Sequence, residues 1–252
     1  MPRVARVQSS SGIYHVMVRG VGHQDIFRDY DDRRRYLRIL ERVVEDYRLT
    51  LYAYCLMDNH VHLLLAEGEE TLGESMKRIG VAYVHGFNGK YGRHGHLFQG
   101  RYRSEAVEDD AYFITVLRYI HQNPVKAGLC RDCGAFPWSS YRAYAYSRGQ
   151  LAKLLDTTFA LELMGGRERF FAFTNAMNDD ICLEIEAKHR LSDAELLETL
   201  ATLLGDRLGT SLLELSVADR TNILRELKAL EGASNSQIAR LTAVSKSTVQ
   251  RA

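Results

Sequence analysis

Few cysteines, no long apolar run and no export signal limit what this 252-residue sequence can encode. Its four cysteines are too few for a disulfide framework, so we expect reduced thiols. No run of about 18 apolar residues is present, which argues against a transmembrane helix. The first six residues lack the apolar core of a secretory signal, so we expect no export. These absences predict a cytoplasmic protein with no membrane partner.

Cysteine spacing also argues against a zinc site. Cys130 and Cys133 form a Cys-x-x-Cys pair, but no second cysteine or histidine pair lies at zinc-finger spacing. Apolar residues make up 46% and charged residues 26% of the chain, a balance that is typical of globular proteins. A chain of this length forms one or two domains with a proper core.

The net charge of +1 conceals an asymmetry along the chain. Residues 1–148 carry 21 Lys and Arg against 17 Asp and Glu, together with eight of the nine histidines. The remaining residues carry 12 against 15. The first part is therefore mildly basic, which permits a nucleic-acid partner without requiring one.

The segment from residue 52 to residue 65 predicts a β-hairpin, because two apolar, β-rich flanks meet at Asp58-Asn59. Side chains alternate along a strand, so His60 and His62 share one face while the apolar residues between and after them share the other. Two imidazoles on a rigid strand can hold one divalent metal ion. The alternative is that a histidine simply fills a gap in the core.

Periodicity predicts a strand, a helix, the hairpin, a second helix, a strand and a third helix. The predicted ranges are residues 13–20, 31–47, 52–65, 71–87, 101–108 and 111–123. We expect Asp31 or Asp32 to cap the first helix, Thr71 the second and Asp109 or Asp110 the third, with Pro124 ending the third. Residues 88–100, rich in glycine and histidine, predict a loop. This order predicts an α+β fold, a ferredoxin-like βαββαβ antiparallel sheet with helices on one face, followed by an α-helical C-terminal region.

The third helix carries a polar edge beside its apolar stripe. Tyr119 lies about 100° from the buried Ile120, and Tyr112 and Asn123 fall on the same edge. An edge tyrosine is usually structural, so spacing alone assigns Tyr119 no chemistry. His60, His62 and Asn123 together would give a metal three ligands, a set that suits Mn²⁺, or Mg²⁺ when water and phosphate complete the shell. Such a metal polarises a phosphoryl oxygen, and a nearby tyrosine oxygen could then attack the phosphorus.

Five blocks in residues 12–146 resemble the HUH tyrosine transposases of the IS200-like group, and more closely the REP-associated tyrosine transposases. The blocks are residues 13–20, 54–64, 95–102, 118–129 and 137–141. The resemblance implies that His60 and His62 are a metal-binding histidine pair, that Tyr119 is the nucleophile and that Asn123 is a third metal ligand.

The same resemblance implies a bacterial, cytoplasmic enzyme that uses Mg²⁺ or Mn²⁺ to cut single-stranded DNA without ATP. Cleavage leaves a 5′-phosphotyrosine bond and a free 3′-hydroxyl, which can reverse the attack and join strands. REP-associated members act on hairpins formed by short palindromic repeats. A monomer is favoured, with a dimer that exchanges the tyrosine helix as the alternative.

Cationic and aromatic side chains near the candidate site predict contacts with DNA, because cations bind phosphates and aromatic faces stack on bases. The alternative for each cation is an ordinary solvated surface. The cationic and histidine candidates are Arg19, Arg93, His94, His96, Arg101, Arg103 and Lys126.

The chain divides by pattern into a catalytic domain, residues 1–146, and a helical C-terminal region, residues 147–252. Residues 236–252 predict a helix-turn-helix whose second helix presents Lys246 and Arg251, among others, to duplex DNA. The alternative is a helical tail that only packs.

Two other functions are compatible with parts of this pattern. The first is a domesticated protein that binds hairpin DNA without cutting it. The second is a nucleotidyl hydrolase of the histidine-triad type, which needs a third histidine where this chain has Leu64.

Overall fold

A computed structural model describes residues 7–180, 182–183, 193–205, 211–230, 233 and 235–252, without the side chains of residues 235, 236 and 246. The chain divides into two compact units, Met1–Leu183 and Glu184–Ala252. Among the described residues, no helix is both long and apolar enough to cross a membrane.

The first unit is organised around a four-stranded antiparallel sheet in the order β2-β3-β1-β4. The strands are β1, Ile13–Arg19; β2, Thr50–Leu56; β3, His60–Ala66; and β4, Arg103–Ala106. This order is the ferredoxin-like arrangement that the sequence predicts, with β3 in a central position. The fourth strand is shorter than the predicted range of residues 101–108.

Helices α1, Tyr30–Asp46, and α2, Leu72–Tyr91, pack on one face of the sheet. Val18 of β1 lines a cavity together with Tyr36 of α1 and Met76 and Ile79 of α2. By strand alternation, Val16, Val61 and Leu63 share this apolar face. The predicted helices on one face of the sheet are therefore confirmed.

The ends of these helices differ in part from the predictions. Thr71 caps α2 as predicted, by accepting a hydrogen bond from the Glu74 amide. Asp29, and not Asp31 or Asp32, caps α1, because its carboxylate accepts from the Asp32 amide and also binds the Lys90 ammonium. Helix α2 continues four residues beyond residue 87 and ends where Gly92 adopts a left-handed conformation, so residues 88–91 are not loop.

Helix α3, Asp110–Lys126, packs on the opposite face of the sheet, over β2 and β3. Asp109 caps it, one of the two predicted residues. The prediction that Pro124 ends the helix is wrong, because the helix continues through Pro124 to Lys126. The proline ring is buried in the last turn, and the Ala127 amide still donates to the Asn123 carbonyl. Burial of the ring offsets the missing backbone donor of proline.

Three short helices follow in the same unit and pack around α3 and one another. Their ranges are α4, Tyr141–Tyr146; α5, Thr158–Met164; and α6, Arg167–Asn175. The core residue Phe170 of α6 stacks on Tyr144 of α4. The compact unit that holds the sheet therefore runs past residue 146 to Leu183.

The second unit consists of helices around a small core of its own. The helices are α7, Asp193–Leu204; α8, Val217–Ala229; α9, Asn235–Thr242; and α10, Lys246–Arg251. Ile238 of α9 and Val249 of α10 are fully buried, and Ser245 caps α10 by accepting from the Thr248 amide. Two helices separated by a short turn are thus present where the sequence predicts a helix-turn-helix.

Candidate active site

His60 and His62 lie on the same face of β3, as strand alternation predicts. Their ring centroids are 5.0 Å apart and the rings are nearly perpendicular. On β1, Arg19 lies opposite His60 and Met17 lies opposite His62. The central strand therefore holds both imidazoles on the face that α3 covers.

Both imidazoles are held neutral by their surroundings. Burial lowers the pKa of His60 to about 4, helped by Arg19 and opposed by a hydrogen bond with Asn123 and by Asp58. Burial also lowers the pKa of His62 well below its ordinary value, with further lowering from His15 and His60. A neutral imidazole keeps one nitrogen lone pair, which is what a metal ligand requires.

Helix α3 brings Tyr119 and Asn123 to these histidines. The Nδ2 atom of Asn123 lies 3.4 Å from Nε2 of His62. The ring of Tyr119 meets His62 edge to face, with centroids 5.6 Å apart. Tyr119 is only 4% exposed, so its ring is covered but lies directly against the histidine pair. The four residues singled out in the sequence therefore converge at one place.

The donor atoms at this place fit a divalent metal ion. The side-chain carbonyl of Asn59 can only accept, so Nδ1 of His60 donates to it at 2.6 Å and Nε2 keeps its lone pair. Two imidazole nitrogens and the Asn123 amide, turned to present its oxygen, form a mixed nitrogen and oxygen set. Within the described residues, no group of three His, Cys, Asp or Glu side chains has metal-holding geometry, and the Asn123 amide is the third protein ligand that this place offers.

His15 is a site residue that sequence reasoning did not single out. It is fully buried on β1, and its Nε2 lies 2.9 Å from Nδ1 of His62. Its ring also meets the edge of Tyr119, with centroids 5.9 Å apart. Alternation places His15 on the same face as His60 and His62, but only the pairing of β1 with β3 brings it next to them.

Several predicted DNA-binding cations lie near this place. Arg19 is close enough to lower the pKa of His60, and Arg103 of β4 lies opposite Met17 on the histidine-bearing face. Lys126 is exposed, with its Nζ 5.6 Å from the centroid of the Tyr119 ring. Residues 97–99 hydrogen-bond to the end of β1 through the Leu97 carbonyl and the Gln99 amide. His94, His96 and Arg101 are exposed in or beside this segment.

The other predicted DNA contacts have different surroundings. Arg93 donates to the side-chain carbonyl of Gln24 and stacks over Phe87, so much of its guanidinium is engaged within the protein. Arg251 is exposed at the end of α10 and donates to the Ser247 carbonyl. The side chain of Lys246 lies outside the described part of the structure.

The end of α6 and the segment after it cross α3 and are held by polar side chains that sequence reasoning also missed. Arg118 donates to both carboxylate oxygens of Asp180. Gln122 donates to the carbonyls of Thr174 and Ala176. These anchors lie one turn apart on α3, so the segment fixes the helix that carries Tyr119.

A family model and solved structures match parts of this chain. Residues 8–123 match a family model described as IS200-like transposase. No curated protein matches the chain. A solved structure described as a REP-associated tyrosine transposase bound to a REP hairpin is 20% identical with a TM-score of 0.49, and the match covers 63% of this chain and 94% of that one. A Deinococcus radiodurans R1 protein assigned as a transposase is 21% identical with a TM-score of 0.32, over 44% of this chain and 88% of that one. The match to the IS200-like transposase family model spans residues 8–123 and so includes both histidines, Tyr119 and Asn123.

Proposed function

We propose that this chain is a metal-dependent, single-stranded DNA endonuclease and strand transferase that cuts through a 5′-phosphotyrosine intermediate. The convergence of His60, His62 and Asn123 with Tyr119 supports this function more than any other observation. The five sequence blocks shared with REP-associated tyrosine transposases support a hairpin substrate formed by palindromic repeats. The same resemblance supports a bacterial, cytoplasmic setting.

The metal in this proposal is Mg²⁺ or Mn²⁺. Nε2 of His60, Nε2 of His62 and the side-chain oxygen of Asn123 would hold it. When bound, such an ion polarises a phosphoryl oxygen and stabilises the charge that develops there. The low pKa of both imidazoles keeps these ligands unprotonated at neutral pH.

Tyr119 is the proposed nucleophile. Its phenolic oxygen loses a proton and attacks the scissile phosphorus, forming a bond between tyrosine and the 5′ side of the DNA. The bond to the 3′ oxygen breaks, and that oxygen takes up a proton to become a free 3′-hydroxyl. A 3′-hydroxyl that later attacks the phosphotyrosine reverses these steps and joins strands. Because one phosphate ester replaces another, no nucleotide triphosphate is consumed.

Substrate must gain access to a phenol that is almost fully covered. Lys126 lies over the outer side of the Tyr119 ring and is bound to Asn178 and to the Asp180 carbonyl. We propose that Lys126 leaves these partners to contact the scissile phosphate, which uncovers the ring. The other proposed DNA contacts are Arg19, Arg93, His96, Arg101 and Arg103, with Lys246 and Arg251 contacting duplex DNA.

A monomer is the proposed active form. Tyr119, Asn123 and both histidines come together within one chain, so exchange of α3 between protomers is not needed to complete the site. The dimer that exchanges this helix remains the alternative.

The decisive experiment compares Tyr119→Phe with Tyr112→Phe, a tyrosine two turns earlier on the same helix. Each variant is incubated with Mn²⁺ and a labelled single-stranded hairpin, and covalent adducts are counted on denaturing gels. Tyr119→Phe should abolish adducts while DNA binding survives, and Tyr112→Phe should keep them. Undiminished adducts in Tyr119→Phe would dismiss Tyr119 as the nucleophile.

The second candidate function is a domesticated protein that binds hairpin DNA without cutting it. The low exposure of Tyr119 favours it, because a phenol that no substrate reaches forms no adduct. A wild-type chain that binds both Mn²⁺ and hairpins, yet never nicks them, would favour this function over the first.

A further inference from the structure

The contact between His15 and His62 joins two fully buried imidazoles. His15 lies diagonally across the β1–β3 pairing from His62, within reach of its ring. Nε2 of His15 and Nδ1 of His62 are 2.9 Å apart, a hydrogen-bonding distance. A hydrogen bond between two imidazole nitrogens needs a proton on one of them and a lone pair on the other. One proton is therefore shared between these two nitrogens.

The position of that proton decides whether His62 can bind a metal. A neutral imidazole carries its proton on one nitrogen and a lone pair on the other. If Nδ1 of His62 donates to His15, Nε2 of His62 keeps a lone pair that faces Asn123. If His15 donates instead, Nε2 of His62 carries the proton and cannot bind a metal. In the structure the amide nitrogen of Asn123 faces Nε2 of His62, which is the arrangement for a lone pair on that atom.

We propose that His15 is a positioning residue that accepts the Nδ1 proton of His62 and thereby directs the Nε2 lone pair of His62 into the metal site. This inference rests on the proposed function, since it concerns the same metal site. His15 does not touch the substrate or the ion. Outer hydrogen-bond partners of this kind fix the ring orientation and the tautomer of metal-binding histidines.

The buried Nδ1 atom of His15 supports a specific role over simple packing. Among the residues that the structure describes, this atom has no hydrogen-bond partner, and leaving a buried polar atom unpaired costs free energy. A leucine at this place would fill similar space without that cost. If His15 only filled space, replacing it with leucine would stabilise the protein. Leucine cannot accept a proton, so it could not replace His15 as a proton acceptor.

The first test measures Mn²⁺ affinity by calorimetry for the wild-type chain, His15→Leu and His15→Gln. His15→Leu removes the acceptor and should weaken Mn²⁺ binding about 10–100-fold. His15→Gln retains an acceptor oxygen and should recover part of that loss. His121→Leu removes another fully buried histidine, one that contacts Ser140, and should leave the affinity within about twofold.

The second test locates the proton of His62 directly in the metal-free protein. Long-range ¹⁵N–¹H spectra of the imidazoles, with His62 assigned from a His62→Asn variant, should show Nδ1 protonated and Nε2 unprotonated in wild type. His15→Leu should give a mixture of the two forms. A wild-type His62 protonated at Nε2, or an unchanged Mn²⁺ affinity in folded His15→Leu, would overturn the proposal.

These outcomes separate the two proposals. A wild-type chain that binds no Mn²⁺ contradicts the metal-dependent function, while the ring spectra still decide whether His15 accepts the proton. A chain that binds Mn²⁺ and forms DNA adducts, but in which His15→Leu changes neither affinity nor tautomer, contradicts only the role of His15.

Discussion

Arg118 of α3 and Asp180 form a two-point ion pair, with nitrogen–oxygen distances of 2.6 and 2.8 Å. Their side chains are only 13% and 15% exposed. The guanidinium also lies 3.9 Å from the centroid of the Phe173 ring. A single arginine thus ties the helix that carries Tyr119 to the segment that crosses it.

Arg118→Ala should lower the free energy of unfolding by about 2–4 kcal/mol, because the largely buried Asp180 carboxylate would lose its cationic partner. Urea unfolding measures the change. Arg34→Ala provides the control, since Arg34 pairs with Asp31 at 3.9 Å on an open surface. Exposed pairs contribute about 0–1 kcal/mol, so equal losses in the two variants would contradict the prediction.

Two glycines should respond in opposite ways to the same substitution. A methyl group at Gly20 would clash with the backbone carbonyl of Gln24 and press on Ile26, next to the end of β1. Gly20→Ala should therefore destabilise the protein and weaken any function that depends on neighbouring Arg19. At Gly89, inside α2, no described atom outside the helix's own backbone lies within 4 Å of the added atom, and its φ is not in the left-handed region.

Gly89→Ala should raise the free energy of unfolding by about 0.5–1 kcal/mol, because alanine loses less backbone entropy in a helix. Thermal and urea unfolding of both variants measure the difference. Stabilisation by Gly20→Ala, or destabilisation by Gly89→Ala, would contradict the argument from local space.

The parts of the fold that could be predicted from the sequence are those that local residue patterns determine. Alternation in β3 places His60 and His62 on one face, and the Thr71 cap fixes the start of α2. Three aspartates stand close together at the start of α1, so local pattern alone does not show that Asp29 is the one whose carboxylate accepts from the Asp32 amide. Local pattern does not reveal that Pro124 continues the helix, because its packing in the last helical turn is a tertiary effect.

The candidate site shows the same limit. Spacing reveals that Tyr119 and Asn123 share a helix edge, but the proposed roles of both residues came from the resemblance to REP-associated tyrosine transposases. The partnership of His15 with His62 depends on the register of β1 against β3, which no local pattern encodes. Arg118 and Asp180 are 62 positions apart in the sequence, so no local pattern predicts that they pair.

Buried His121 should make the protein less stable in acid. Burial lowers the pKa of His121 to about 3 in the folded protein, whereas an unfolded histidine has a pKa near 6.5. Below pH of about 6.5 the unfolded chain binds the extra proton, so the free energy of unfolding falls as pH drops, by up to about 1.4 kcal/mol per pH unit. Above that pH this effect vanishes.

His121→Leu should therefore show a shallower loss of stability between about pH 6.5 and 4 than wild type. Urea midpoints at a series of pH values measure the two slopes. Other buried histidines, such as His15, titrate in both proteins and cancel in the comparison. Parallel pH profiles would show that His121 does not set this acid sensitivity.

Asn123 should be needed for Mn²⁺ binding because its side-chain oxygen is a ligand, and not because its side chain fills space. Asn123→Ala removes the only oxygen donor in the proposed ligand set, so Mn²⁺ binding should weaken about 10-fold or more and covalent DNA adducts should fall with it. Asn123→Asp keeps an oxygen at the same place and adds a negative charge, so it should retain or strengthen Mn²⁺ binding. Calorimetry and adduct gels measure both quantities. If Asn123→Ala binds Mn²⁺ as tightly as wild type while His62→Ala does not, the ion is held by the histidines without the amide, and Asn123 is no metal ligand.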